Sequence, residues 1–251
     1  MLSKVMVGRY YPVTSKIHKM NPLSKIICTV IFVLLMFLSN DLFFIGLITA
    51  FVLLIVLMSN IPLKVYFGAI KSLKLLIIFI VLINIITGVE WQAIIIMVAR
   101  LVLVVLYTSV LTLTTPPTEL TYGLEKFFTP LRVIGIPVNK MALSLSLAIR
   151  FIPTIIDQAN KIMKSQTCRG IDYSNSKIKD KITGIKSLML PMIIHSFRRA
   201  DELAISMELR LYNIHNKRTN FRMNKWGFFD TYMFLVHAII LVFLIIREVV
   251  L

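Results

Sequence analysis

The sequence predicts an all-α, polytopic membrane protein with about five transmembrane helices and a cytoplasmic domain of long amphipathic helices. Three observations carry this reading. Of 251 residues, 57% are hydrophobic and 16% charged, with a mean hydropathy of +0.83, against roughly 45–50% apolar and about 25% charged in a soluble domain. Apolar runs close to the ~20 residues that cross a bilayer recur along the chain. Basic residues gather on one side of those runs.

Taken in order, runs at 23–38, 42–58, 73–87, 91–113 and 228–246 predict five spans. The third is short, and Ala69, Ile70 and the aliphatic stems of Lys71 and Lys74 extend it by snorkelling. The N-terminal stretch stays polar through Lys19 and carries no apolar core with a small-residue cleavage site, so no signal peptide is expected. Lys4, Arg9, Lys16, Lys19 and Lys25 precede or open the first span, Lys64, Lys71 and Lys74 follow the second, and most of the rest lie in 114–225. Apart from Arg100 inside a span and Arg247 after the last one, every Lys and Arg falls on one side. Cytoplasmic loops hold such an excess, so the N-terminus is expected in the cytoplasm and the C-terminus outside. The predicted organisation is a cytoplasmic segment at 1–22, four spans over 23–113, a cytoplasmic domain over 114–225 and a last span within 226–251.

Two further apolar stretches, 141–156 and 185–197, are not read as spans. If both crossed, Lys161, Lys164, Arg169, Lys177, Lys179 and Lys181 would lie outside, against the pattern of the other loops. Their apolar residues instead follow helical stripes, through Met141, Leu145, Ala148, Ile152, Ile155, Ala159 and Ile162, and through Ile185, Leu188, Met192, Ser196, Ala200, Leu203 and Met207. Pro137 can open the first helix, Pro153 should kink it and Gly170 can close it. Helices are expected at about 118–128, 138–169 and 178–211.

Charge and chemistry narrow the function. The net charge of +16 would suggest nucleic acid in a soluble protein, but here the apolar excess makes the bilayer the partner instead. Cys28 and Cys168 cannot build a disulfide framework, and His18, His195, His215 and His237 stand apart from one another and from carboxylates at metal-site spacing. No catalytic constellation, metal site or phosphate-cradling Gly-rich loop is visible, so neither catalysis nor a bound cofactor is expected of this chain. Arg100, about nine residues into its span, must face the bundle interior, with Asn84, Tyr107, backbone carbonyls or water as available partners. Two arginines stand where helices should end: Arg169, between Cys168 and Gly170, and Arg210, between Leu209 and Leu211. Each could complement the negative end of its helix, worth about 0.3–1 kcal/mol. Periodicity alone favours that reading, although an exposed guanidinium at a helix tip also suits forked hydrogen bonds to carboxylates or carbonyls of a partner.

Four segments carry a family resemblance. Ser15-Lys16-Ile17-His18-Lys19-Met20-Asn21-Pro22-Leu23-Ser24-Lys25, Thr114-Thr115-Pro116-Pro117-Thr118-Glu119-Leu120, Ile149-Arg150-Phe151-Ile152-Pro153-Thr154 and Phe197-Arg198-Arg199-Ala200-Asp201-Glu202-Leu203-Ala204 occur in the order found in the transmembrane (T) component of energy-coupling factor (ECF) transporters, the EcfT/CbiQ family. The chain resembles that component over nearly its whole length.

The resemblance implies a non-catalytic subunit of a vitamin, micronutrient or metal-ion importer in the bacterial plasma membrane. It implies two ABC ATPase subunits, identical or different, that bind ATP and magnesium, and a separate integral membrane substrate-binding (S) component. In that family two Ala-Arg-Gly motifs end the coupling helices and dock into the ATPases. Cys168-Arg169-Gly170 matches the first with Cys for Ala, and Leu209-Arg210-Leu211 keeps only the arginine of the second, so that helix is expected to run on toward Asn213. The apolar stripes, at Leu145, Ile149, Ile152 and Ile156 and at Leu188 and Met192, are implied to grip the S component. The rival reading is a polytopic membrane enzyme or carrier working without ATPases. It would need a reactive constellation or a polar path through several spans.

Overall fold

The computed structural model describes residues 10–39, 41–135, 137–171, 178–213 and 225–250. The charges predicted on Lys4, Arg9, Lys177 and His215 lie outside these residues. No strand occurs among the described residues. The helices are α1 (Pro22–Leu38), α2 (Leu42–Met58), α3 (Leu63–Ser72), α4 (Lys74–Ile86), α5 (Trp91–Thr114), α6 (Pro117–Phe127), α7 (Val138–Cys168), α8 (Ile178–Leu209) and α9 (Phe228–Val250). They form two compact units, one of α1 to α6 with α9 and the other of α7 and α8.

In the first unit, α1 packs on α9, α6 and α5, and α5 packs in turn on α2, α3 and α4. The start of α1 follows from local chemistry. Asn21 accepts from the Leu23 N–H through Oδ1 at 2.9 Å, and Pro22 fills the first helical position, where a missing N–H costs nothing. Phe32 of α1 is fully buried and stacks on Tyr107 of α5 at 4.1 Å between centroids. The Tyr107 hydroxyl meets His237 Nε2 of α9 at 2.8 Å, and His237 Nδ1 lies 2.7 Å from the Met233 carbonyl. The carbonyl can only accept, so Nδ1 carries the hydrogen and Nε2 accepts from the tyrosine. Outside this core the helices show large apolar side chains, among them Phe43, Leu54, Leu75 and Phe243, as a lipid-facing surface must.

The third span differs from the sequence expectation. It is a bent pair, α3 and α4, meeting at 51° across Leu73, so the helix expected to extend through Lys71 and Lys74 reaches back to Leu63 and takes in Lys64 as well. Hydropathy marks only the uniformly apolar α4. The amphipathic α3 continues the helical hydrogen bonding, and its end is tied by the Ser72 hydroxyl donating to the Ala69 carbonyl at 2.6 Å. Arg100 finds one of the partners expected for it. Its guanidinium donates to the Ser39 carbonyl at 2.7 Å, at the carbonyl-rich end of α1, where a cation is favoured. The turn after α1 is tied to α9 as well, through an ion pair between Asp41 and Arg247, whose guanidinium also lies 4.6 Å from the Phe44 ring centre.

The opposite end of α1 holds a buried polar junction. Lys25, 5% exposed, donates its three N–H groups to the His18 carbonyl at 3.3 Å, the Thr114 carbonyl at 3.1 Å and Thr115 Oγ1 at 3.1 Å, which satisfies the ammonium fully. Asp230, at the start of α9, accepts from the Asn21 N–H at 2.9 Å and from the Gly227 N–H at 2.7 Å. His18 is held between the Ser15 hydroxyl (2.8 Å to Nδ1) and the Tyr11 carbonyl (3.1 Å to Nε2), which places the ring hydrogen on Nε2. Burial pushes the His18 pKa down; the Tyr11 hydrogen bond opposes that shift and the charge of Lys25 adds to it. The segment Ser15 to Lys25 is thereby built into the junction of α1, α5, α6 and α9.

Helix α6 begins at Pro117, one residue before the expected start, because Pro suits the first helical position. It is followed by a 3-10 turn, Thr129–Ile134, that no periodicity announces; Gly135 closes the turn at φ 85. In the second unit, α7 and α8 have 31 and 32 residues, about 46 and 48 Å at 1.5 Å per residue. Pro153 and Pro191 lie inside them without ending either helix. By length and composition alone Lys140–Cys168 reaches the minimum for a span, but its mean hydropathy of 1.2 is about half the 2.6 of α5.

The contact of α6 with α1 depends on Gly123. A Cβ there would lie 2.7 Å from Ile26 Cδ1 and 3.0 Å from the backbone carbonyl carbon of Pro22. The isoleucine tip can move but the backbone cannot. Gly123→Val should destabilise the first unit by about 1–3 kcal/mol, read as a lowered thermal midpoint in detergent. Gly46→Ala, with nothing within 4 Å, should leave the midpoint unchanged or raise it.

Candidate functional site at two helix ends

The last turns of α7 and α8 share one backbone motif. At the end of α7, the Gly170 N–H donates to the Thr167 carbonyl at 3.0 Å and the Ile171 N–H to the Gln166 carbonyl at 3.1 Å. At the end of α8, the Leu211 N–H donates to the Glu208 carbonyl at 2.8 Å and the Tyr212 N–H to the Met207 carbonyl at 2.9 Å. These are the two crossed bonds of a Schellman cap, in which one residue after the helix adopts a left-handed conformation and the chain turns away. Gly170 takes that position at φ 88 and Leu211 at φ 55. Arg169 and Arg210 therefore occupy the same place, the last residue before the left-handed turn. The expected continuation of α8 toward Asn213 does not occur: the helix ends at Leu209.

Both arginines are exposed, and among the described residues neither guanidinium has an ion-pair or hydrogen-bond partner. The carbonyls at a helix end favour a cation there. That attraction leaves the five N–H donors of each guanidinium open to an external acceptor. The flanks differ. Cys168 is an exposed free thiol, whereas Leu209 and Leu211 are 80% and 90% exposed. Glycine adopts the left-handed turn freely, while a residue with a Cβ pays about 1–2 kcal/mol for it.

The predicted stripe on α7 divides by exposure. Leu145 and Ile152 are exposed, with Met141 and Ile155 beside them, and Ile149 and Ile156 are half-buried. On α8, Leu188 and Met192 are half-buried, and Ile185, Met189, Leu190, Ile193, Ile194 and Phe197 are among the exposed apolar side chains. Within the Lys140–Cys168 segment the most apolar stretch buries none of its residues in this chain, which leaves a long apolar face to be covered from outside it.

One contact was not legible in the sequence. The Arg199 guanidinium lies 5.5 Å from the ring centre of Phe151, a cation–π contact between α8 and α7. Two of the segments that carried the family resemblance thus meet here. Their spacing in sequence says nothing of this, because the loop between the helices sets which turns face each other. From this contact it is about 27 Å along α7 to Arg169 and about 16 Å along α8 to Arg210 at 1.5 Å per residue. No group of His, Cys, Asp and Glu able to hold a metal ion occurs among the described residues.

Comparison with known proteins finds a family match over most of the chain. A family model described as cobalt transport protein, CbiQ, matches residues 13–221, which include both helix ends. The energy-coupling factor transporter transmembrane protein EcfT of Listeria innocua serovar 6a is 36% identical over 96% of this chain and 97% of its own length. The protein of the same description from Bacillus subtilis strain 168 is 32% identical over 92% and 93%. That from Limosilactobacillus fermentum is 32% identical over 100% of both chains.

A double-mutant cycle measures the contact between α7 and α8. Phe151→Leu and Arg199→Gln should each lower the thermal midpoint, and the pair should cost less than the sum, with a coupling of about 0.5–1 kcal/mol. Additive effects would mean that the two side chains do not interact.

Proposed function

The chain belongs to the CbiQ/EcfT family of energy-coupling factor transmembrane components, and from that membership and its two arginine-tipped helices we propose that it couples two ABC ATPase subunits to a substrate-binding S component. The observation that carries the proposal is the repeated cap, which sets Arg169 and Arg210 at the tips of two long helices with their donors unclaimed. A planar guanidinium suits forked hydrogen bonds to carboxylates or carbonyls in a groove. Cys168 and Gly170 flank the first arginine and leave room for close approach; Leu209 flanks the second.

In this reading the N-terminus, α7 and α8 lie on the cytoplasmic side, where the one-sided distribution of Lys and Arg puts them. ATP and magnesium bind and react on the ATPases, and this chain contributes no catalytic group and binds no cofactor. Closure of the ATPases displaces Arg169 and Arg210, and the stiff helices carry that displacement to their apolar faces. Leu145, Ile149, Ile152 and Ile156 on α7, with Leu188 and Met192 on α8, cover the S component, which captures a vitamin, another micronutrient or a metal ion. Substrate choice then resides in the S component. The exposed apolar face of α7 supports this assignment, since a helix that buries so little of its apolar surface in its own chain needs a partner.

Arg169→Ala and Arg210→Ala should each weaken retention of the ATPases about thirtyfold or more, the scale of removing one member of a buried charged hydrogen bond. The double variant should lose ATP-driven uptake. Normal assembly and uptake in the double variant would overturn the arginine mechanism. Separately, Leu145→Asp with Ile152→Asp should abolish capture of the S component while sparing the ATPases; undiminished capture would remove the stripe from the account.

A further inference from the structure

We infer that the second helix end carries an apolar anchor that the first lacks: Leu209 and Leu211 seat against an apolar wall of the protein groove that receives Arg210. The inference rests on the ATPase-docking reading above and concerns the chemistry of one of its two grooves. It starts from a cost. The caps of α7 and α8 are alike bond for bond, yet the left-handed position is Gly170 in one and Leu211, at φ 55, in the other. A branched side chain gives up stability there that glycine would keep. Nothing among the described residues compensates, because Leu211 is 90% exposed. The hydrophobic contact that accompanies such a cap belongs to the residues at the ends of its longer bond, here Met207 and Tyr212, and those two are the half-buried ones.

The cap also determines where the leucines stand. Leu209 is the last helical residue and Leu211 the first beyond Arg210, so an apolar side chain precedes and follows the guanidinium on a backbone held by two hydrogen bonds. An acceptor that claims the guanidinium brings both leucines to the surface around it, and burying them repays the backbone cost. At the α7 end the equivalent positions hold a thiol and a glycine, Cys168 and Gly170, and offer no such surface. The two grooves are therefore not interchangeable: that for Arg169 admits backbone closely, and that for Arg210 presents an apolar wall beside its acceptor.

The test uses the full chain with its ATPases, purified in detergent so that no bilayer is present. Leu211→Gly and Leu211→Asn, both tolerant of the left-handed turn, are compared with Arg210→Ala. The inference predicts that the glycine variant alone melts at a higher temperature than the parent, while its ATPase retention falls about tenfold, the scale of one leucine left exposed. The asparagine variant should lose retention to a similar degree. If both Leu211 variants retain the ATPases while Arg210→Ala does not, the apolar anchor is wrong and the arginine reading stands. If Arg210→Ala retains them too, the docking reading itself falls. Retention unchanged in detergent but lowered only in vesicles would assign the leucines to lipid and overturn the inference.

Discussion

The C-terminal cap shared by α7 and α8 is the constraint on which the rest of this account depends. A helix can carry force to a point only if its end is well defined, and frayed last turns would let an arginine wander over several ångströms. Two hydrogen bonds at each end remove that freedom and turn the chain away from the helix axis, which leaves Arg169 and Arg210 as the last residues before the turn. The contact of Arg199 with Phe151 joins the two helices well back from both tips. In the proposed coupling, displacement at the tips would pass along two helices that meet at a defined point.

The membrane unit solves a different problem, the satisfaction of polar groups where water is absent. Four polar side chains in it tie together elements distant in sequence. Lys25 joins the segment before α1 to the end of α5, Asp230 joins α9 to the start of α1, Arg100 joins α5 to the end of α1, and His237 joins α9 to Tyr107. In low dielectric an unpaired donor or charge costs far more than in water, so each such group strongly disfavours any packing that leaves it alone. The apolar side chains of these helices specify depth, and the few polar ones specify which faces meet. The buried Lys25 and the tightly packed Gly123 stand at one end of α1, and Arg100 with the Asp41–Arg247 pair at the other.

Much of this was legible in the sequence, for identifiable reasons. The uniform apolar runs of α1, α2, α5 and α9 mark the helices with small errors at their ends, because bilayer thickness imposes length and composition together. Proline and glycine place the start and end of α7 within a residue or two. The misses have causes as well. The start of the amphipathic α3 was hidden because a hydropathy reading treats Lys64 as loop, although helical hydrogen bonding does not depend on hydropathy. The end of α8 was read too long because Leu211 is a poor left-handed residue, and propensity cannot reveal a position where another requirement prevails. The Phe151–Arg199 contact was hidden because it depends on how the two helices cross. The roles proposed for the arginines and stripes rest on the family resemblance and the exposed geometry together, since periodicity alone cannot separate a helix-end cation from a docking one.

Cys168 offers the most direct test of the central claim, because it is an exposed thiol one residue from Arg169, while the other cysteine, Cys28, is buried. A photoactivatable maleimide placed on Cys168 in native membranes, irradiated with and without ATP, reports what this helix end touches. The account predicts a crosslink to an ABC ATPase whose yield changes with nucleotide and is lost with Arg169→Ala. A crosslink confined to lipid or to this chain, with the ATPases present in the same membranes, would contradict it.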